Sequence, residues 1–433
     1  MKRIITLALV AAFVLSMAGF ASAKEVKMKA QMTTGVSFIN NTDFADDNAE
    51  EDFSAKQRMR VYFDYVASES VNAVLGLEMN HTWGQEGAQL GTDGNKVVVK
   101  HAYTNFVVPG TEVAVRVGLQ PFAFKGAYGS PIFDDDAAGV VVNAPINEAL
   151  SLSAAWVRAY DNLSAQAGDV DLFTLAAPVQ GEGFNVTPYG AFAAIGEGAF
   201  NHMKATQGDV DNAIMAADGL LANGATATDK DARAYWAGVN FEVTVLDPIT
   251  IKGDVIYGAV AADEDNNDRS GYFADLGVEY KAGFGTVGVV GVYGSGNDDD
   301  ADNGSEAMPV LNDSGFGLTS FGFTGGQWTG TDSILSGGAS YDIAAAGLYI
   351  TDLSFVEGLS HKVIALYGTG TSEDASYSAV TDDDTFLEVN FDSNYQIYEN
   401  LAAVVELGYI YMDKDNGSDD DAAKAAFYLK YSF

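Results

Sequence analysis

Lys56, Arg58 and Arg60 stand at every second position of one run, and Met59, Val61, Phe63 and Tyr65 fill the alternate places beyond it. In an extended chain this spacing puts the three cations on one face and the apolar residues on the other. Lys100 and Arg116 hold equivalent positions in two later runs, and Lys27 and Lys29 do so in the first. A row of fixed cations attracts and orients anions but makes or breaks no bond. The groups needed for bond chemistry are missing: His81, His101, His202 and His361 have no metal-ligand spacing, Cys is absent, and no G-x-S-x-G, H-E-x-x-H or Gly-rich phosphate loop occurs. No catalytic role is therefore expected, and the chain reads as something other than an enzyme.

Acidic residues dominate, with 60 Asp plus Glu against 23 Lys plus Arg and a formal net charge of −37. Such a chain repels nucleic-acid phosphates, so no nucleic-acid partner is expected. Asp298, Asp300 and Asp302 imitate the first half of a calcium loop. Gly304 comes one place late, however, and Pro309 stands where the bidentate Glu belongs. The acidic runs around 46–52, 263–265, 298–302, 382–384 and 419–421 read as solvated, mutually repelling loops. Weak Ca²⁺ or Mg²⁺ binding at these loops is the alternative; otherwise no cofactor and no protein-held metal is expected.

The elements that would position these charges begin after a targeting segment. Lys2 and Arg3, an apolar run from Ile4 to Phe20, and Ala21-Ser22-Ala23 form a basic, apolar and small-x-small series, which predicts a secretory signal peptide over 1–23. No later stretch has eighteen consecutive apolar residues, so no helical span is expected in 24–433. The 48% hydrophobic content is too high for a disordered acidic chain. With 47 Gly and only 8 Pro, it favours many strands joined by turns.

Alternation of period two recurs along the chain, from 26–38 to the end, where Phe427, Leu429, Tyr431 and Phe433 share a face. Many runs reach nine to thirteen residues, the length a tilted strand needs to cross a membrane. Connections alternate between short turns, such as 109–111 and 282–285, and long loops, such as 121–138, 196–230 and 295–331. Short turns at one rim and long loops at the other predict a transmembrane antiparallel up-and-down β-barrel. Following the up-down order gives eighteen strands, within a range of sixteen to eighteen. Residues 150–195 and 332–360 are weakly patterned, and 209–222 carry helical spacing inside a loop. Trp83, Tyr103, Tyr257, Tyr293, Tyr411 and Tyr431, near strand ends, suit an interfacial aromatic girdle.

On these residues the chain resembles the outer-membrane porins of Gram-negative bacteria, most closely the homotrimeric porins of sulfate-reducing types. The likeness is carried by the signal peptide, the strand 96–108 with Ala102-Tyr103, the segment Val117-Gly118-Leu119-Gln120-Pro121-Phe122, and the ending Phe427-Tyr428-Leu429-Lys430-Tyr431-Ser432-Phe433. The strand count exceeds that of the classical general porins. The resemblance implies a homotrimer surrounded by outer-membrane lipid and lipopolysaccharide, folded by the barrel-assembly machinery that reads the terminal Phe427, Leu429, Tyr431 and Phe433. It further implies a constriction loop after the fifth strand, at about 121–138, with Asp134, Asp135 and Asp136 as the acidic edge of the pore. Lys56, Arg58, Arg60, Lys100 and Arg116 would form the opposing basic wall. The expected function is passive diffusion of small hydrophilic solutes and ions. A substrate-selective, anion-attracting channel is the alternative, and a secreted or surface β-protein without a pore is the third.

Overall fold

The computed structural model describes residues 25–42, 44, 51–84, 97–161, 168–197, 199, 231–262, 268–300, 304–311, 316–323, 326, 335, 342–373, 380–415 and 420–433. The expected signal peptide, the helical spacing at 209–222 and nearly all of the 196–230 loop lie outside them. In chain order the strands are β1 (Glu25–Asn40), β2 (Glu51–Ser68), β3 (Val71–Thr82), β4 (Val97–Val107), β5 (Ala114–Ala123), β6 (Asp134–Pro145) and β7 (Ser151–Tyr160). Next come β8 (Val170–Ala176), β9 (Val179–Gly181), β10 (Phe184–Ile195), β11 (Ala232–Val243), β12 (Ile249–Ala262), β13 (Arg269–Ala282) and β14 (Gly285–Gly294). The last five are β15 (Ile343–Val356), β16 (Leu359–Gly370), β17 (Thr385–Tyr398), β18 (Leu401–Asp413) and β19 (Asp420–Ser432).

Apart from β8 and β9, each strand pairs antiparallel with the next, and β1 pairs with both β2 and β19, so the sheet closes and leaves no edge. Ala30 and Phe433 exchange two backbone hydrogen bonds, of 3.0 and 3.1 Å, across the closing seam. β8 and β9 both pair with β10 and make one wall position, interrupted next to Pro178, which has no N–H for the ladder. The nineteen segments therefore form an eighteen-stranded all-β barrel.

The alternation that builds the strands also sets their faces, and the faces are inverted relative to a water-soluble sheet. In β13, Tyr272, Leu276, Val278 and Tyr280 are exposed, whereas Arg269, Gly271, Asp275 and Gly277 are buried. In β18, Leu407 and Tyr409 are exposed and Glu406 is buried. A sheet surrounded by water buries Leu and exposes carboxylates. The reverse arrangement suits a barrel whose outer solvent is hydrocarbon. Among the described residues no helix is long and apolar enough to cross a membrane. Tyr257, Tyr293, Tyr411 and Tyr431 stand on the exposed outer face. Tyr103 does not: it faces the lumen under Arg116, so it is no part of a girdle.

Two segments fill one side of the interior. The first joins β5 to β6. Pairing of Ala123 with Asp134 extends both strands, so this loop is 124–133, and Asp134, Asp135 and Asp136 lie in β6 opposite Ala123, Phe122 and Pro121. The loop is apolar where an acidic edge was expected: Phe124, Tyr128, Ile132 and Phe133 are buried. The second comprises the described residues 304–311 and 316–323 of the 295–342 connection, expected as an external loop to 331 followed by a strand from 337. β15 begins only at Ile343, and described residues between 304 and 323 turn into the lumen. The lumen face of β14, β16 and β18 explains this. Val290, Val292, Ile364, Leu366, Ile410 and Met412 point inward near the long-loop rim and are buried. These strands are apolar on both faces there, so the lumen has to be filled with protein and not water. Gly408 marks the fit: a Cβ there would lie 2.6 Å from the Cβ of Phe321. Gly408→Val should therefore destabilise the barrel by about 1–3 kcal/mol in urea titration, whereas an unfilled lumen would tolerate it.

Candidate functional site, the barrel lumen

Five strands hold the inward residues of 304–311 and 316–323 by their backbone. Trp236 of β11 donates its indole N–H to Pro309 O at 2.8 Å, and Arg269 of β13 donates to Ala307 O at 2.9 Å and Met308 O at 3.1 Å. Lys362 of β16 donates to Leu318 O, and Lys424 of β19 to Ser320 O at 2.6 Å. On β17, Glu388 accepts from Gly322 N at 2.8 Å and Asn390 from Ser320 N at 2.6 Å. On β18, Glu406 lies 3.0 Å from Lys424, both side chains being almost wholly buried. Arg269, Lys362 and Lys424 are thus engaged with the segment.

The shorter loop 124–133 rests on this plug and on the far wall. Leu311 N donates to Ile132 O at 3.0 Å, and Gly317 N donates to Tyr128 O. The Tyr128 hydroxyl meets that of Tyr349 at 2.9 Å, and its ring packs where Gly277 has no side chain. Burial raises the Tyr128 pKa, which keeps the phenol protonated. Asp254 accepts from Ala127 N at 2.5 Å and from Asn240 at 3.0 Å. The loop after the fifth strand therefore crosses the lumen, and its tip is aromatic.

Opposite the plug, no described loop residue fills the lumen along β1–β5, where Lys29 is exposed and Arg58, Arg60, Tyr62, Tyr103 and Arg116 are half-buried. Lys56, Arg58 and Arg60 alternate on β2; Arg60 sits across from Glu78 of β3 and is ion-paired to it. Arg58 stands across from Thr33 and Asn80. A register shift at Gly76/Leu77 leaves Lys100 as the extra residue of β4. This bulge brings Lys100 and His101 to the same carboxylate: Asp136 pairs with Lys100 and lies 2.8 Å from His101 Nε2. Lys100 is also 3.9 Å from Glu78. The chain Arg60, Glu78, Lys100, Asp136, His101 thus ties the neck of the inward hairpin to the wall. Arg116 of β5 donates Nε–H to Asn105 at 2.8 Å and lies 4.8 Å from the Tyr103 ring centre.

The structure accordingly brings together Arg60, Lys100 and Asp136, and places Lys56, Arg58 and Arg116 on the same open wall. Asp134 is exposed at the start of β6 and Asp135 is half-buried. The polar set missed by the sequence reading is Lys362, Glu388, Asn390, Glu406 and Lys424. A signal was present: charges at inward positions of strands otherwise apolar on both faces. Phe427, Leu429 and Tyr431 stand exposed on the outside of β19.

No family model and no curated protein sequence matches the chain. Solved structures do. Pseudomonas aeruginosa OccD3 (OpdP) superposes with a TM-score of 0.54 at 12% identity, over 96% of this chain and 92% of that one. OprD of the same species gives 0.56 at 13%, over 95% and 96%. Acinetobacter baumannii OccAB3 gives 0.56 at 12%, over 94% and 99%. The likeness establishes a shared fold, the eighteen-stranded barrel of OprD-like outer-membrane porins.

Proposed function

We propose that this chain is an outer-membrane porin that forms a water-filled channel for small hydrophilic solutes and ions, with a wall that attracts anions. The observation carrying the reading is a lumen that is packed on one side and open on the other, along cations, inside a barrel with an apolar outer face. Charges on one wall of a narrow, poorly screened passage act strongly on passing ions. Export by residues 1–23 belongs to the same proposal and rests on the sequence pattern, while assembly through Phe427, Leu429, Tyr431 and Phe433, a homotrimeric state, contact with lipopolysaccharide and kinship with the porins of sulfate-reducing bacteria rest on the resemblance. The comparison with OprD and the Occ proteins supports the channel reading through the fold.

The test is planar-bilayer recording of the detergent-extracted protein. Discrete ohmic steps with a reversal potential on the anion side are expected, and folded protein that passes no current would sink the proposal. The same recording ranks the wall. Arg116→Gln should move the reversal potential toward cations further than Arg60→Gln does, because Glu78 already neutralises Arg60. An equal shift for both would remove that ranking.

A further inference from the structure

Charge at the short-turn rim of the barrel has the opposite sign to charge on the lumen wall. Eight short connections close this rim, and seven of them carry one exposed carboxylate each. Going round the barrel, these are Glu69 between β2 and β3, Glu112 between β4 and β5, Glu148 between β6 and β7 and Glu182 between β9 and β10. Asp247 follows between β11 and β12, Glu357 between β15 and β16, and Glu399 between β17 and β18. The β13–β14 turn, Gly283-Phe284, has none. Among the described residues no cation lies within ion-pair distance of any of the seven. Lys27 near this rim is taken by Glu25, 3.5 Å away. Lys281 is the one basic residue within two positions of any of these turns.

The turns are spread evenly along the sheet, so the carboxylates form a ring and not a cluster. Eighteen strands spaced by about 4.8 Å and tilted by about 40° close into a mouth about 35 Å across the backbone. Neighbouring turns on that circle stand roughly 14 Å apart. The Debye length decides what an ion entering this mouth feels. At about 0.01 M salt it is about 30 Å, so the fields of the turns merge and span the whole opening. At about 1 M it is about 3 Å, well short of the gap between neighbours, and the opening acts on ions only at contact. The basic wall responds differently. Its cations line a lumen narrowed by the packed inward segments, where low-dielectric sides focus their field and screening is poor even in strong salt.

We propose that the short-turn carboxylates are a specificity-determining collar, which gathers inorganic cations and turns back anions at the mouth, in series with the anion-attracting wall. The ion preference of the channel therefore reverses with ionic strength. This rests on the channel reading above and adds a second, opposing filter to it. The test uses the full-length protein in planar bilayers under potassium chloride gradients, with the permeability ratio taken from the reversal potential. The chloride-to-potassium ratio should exceed unity around a mean of about 1 M and fall about three- to tenfold, to below unity, around about 0.01 M. Combining Glu69→Gln, Glu112→Gln, Glu148→Gln and Glu182→Gln with Asp247→Asn, Glu357→Gln and Glu399→Gln should leave the ratio above unity at both concentrations. All seven side chains are exposed, so their amides leave the packing of the barrel untouched. The same preference at both concentrations in the unaltered channel overturns the collar without any variant having to fold. A low-salt cation preference that survives in the amide variant puts the filter elsewhere and overturns it too. Absence of any current at either concentration would instead overturn the channel reading itself.

Discussion

Lys424→Met is expected to lower the unfolding free energy of the barrel by about 3–5 kcal/mol, the usual cost of removing one partner of a buried ion pair. Lys424 and Glu406 are 0% and 1% exposed and 3.0 Å apart, and the same ammonium donates to Ser320 O of the inward segment at 2.6 Å. The substitution therefore removes two partners at once and leaves a carboxylate in a dry site. Urea titration of the protein refolded in detergent or lipid reads the loss. The double variant Lys424→Met/Glu406→Leu should regain most of it, since replacing both charges by apolar groups removes the desolvation penalty. A double variant no more stable than the single one would show that the damage comes from the lost bond to Ser320 and not from the stranded carboxylate. The pair thus ties the stability of the wall to the seating of the plug, and the plug decides where solutes can pass.

Leu348→Arg should cost about 2–4 kcal/mol on folding into a bilayer, the range for a cation placed at the midplane on the lipid face of a barrel. Leu348 is near the middle of β15, 65% exposed, between Val289 of β14 and Ala365 of β16. Its neighbour Tyr349 points the other way and is buried against Tyr128. In a sheet facing water, Arg at so exposed a position would change stability by only a few tenths of a kcal/mol. Folding yield into vesicles, compared with a Leu348→Met control, measures the effect. Equal yields for the two variants would contradict an outer face bathed in hydrocarbon.

Most of the architecture could be read along the chain because a strand's two faces are written locally. Tyr272, Leu276, Val278 and Tyr280 stand out as an apolar row at period two whatever lies around them, and the observed β13 follows that row. The same holds for the terminal Phe427, Leu429 and Tyr431 and for the short turns. Reading failed where apolar residues occupy both faces. Strand β15 starts later than expected, and residues 304–311 and 316–323 turn inward, because Val290, Val292, Ile364, Leu366, Ile410 and Met412 need a partner that only the closed barrel brings to them.

The candidate site divides in the same way. Parity alone put Lys56, Arg58, Arg60, Lys100 and Arg116 on one side, because alternation is a property of the extended backbone. It could not tell that Arg60 and Lys100 are paired with Glu78 and Asp136 while Arg116 is laid on Tyr103. Those pairings join different strands, and the bulge at Gly76/Leu77 that turns Lys100 and His101 to one carboxylate is a matter of register. Asp134, Asp135 and Asp136 show the same limit, since an acidic run after a strand reads as a loop until its pairing with Pro121, Phe122 and Ala123 is seen. The sequence by itself determined a barrel of long alternating strands, its inner and outer faces and the presence of a cationic row. The tertiary structure decided which cations stay uncompensated and which half of the lumen stays open, because charge compensation and filling depend on distances between strands far apart in the chain.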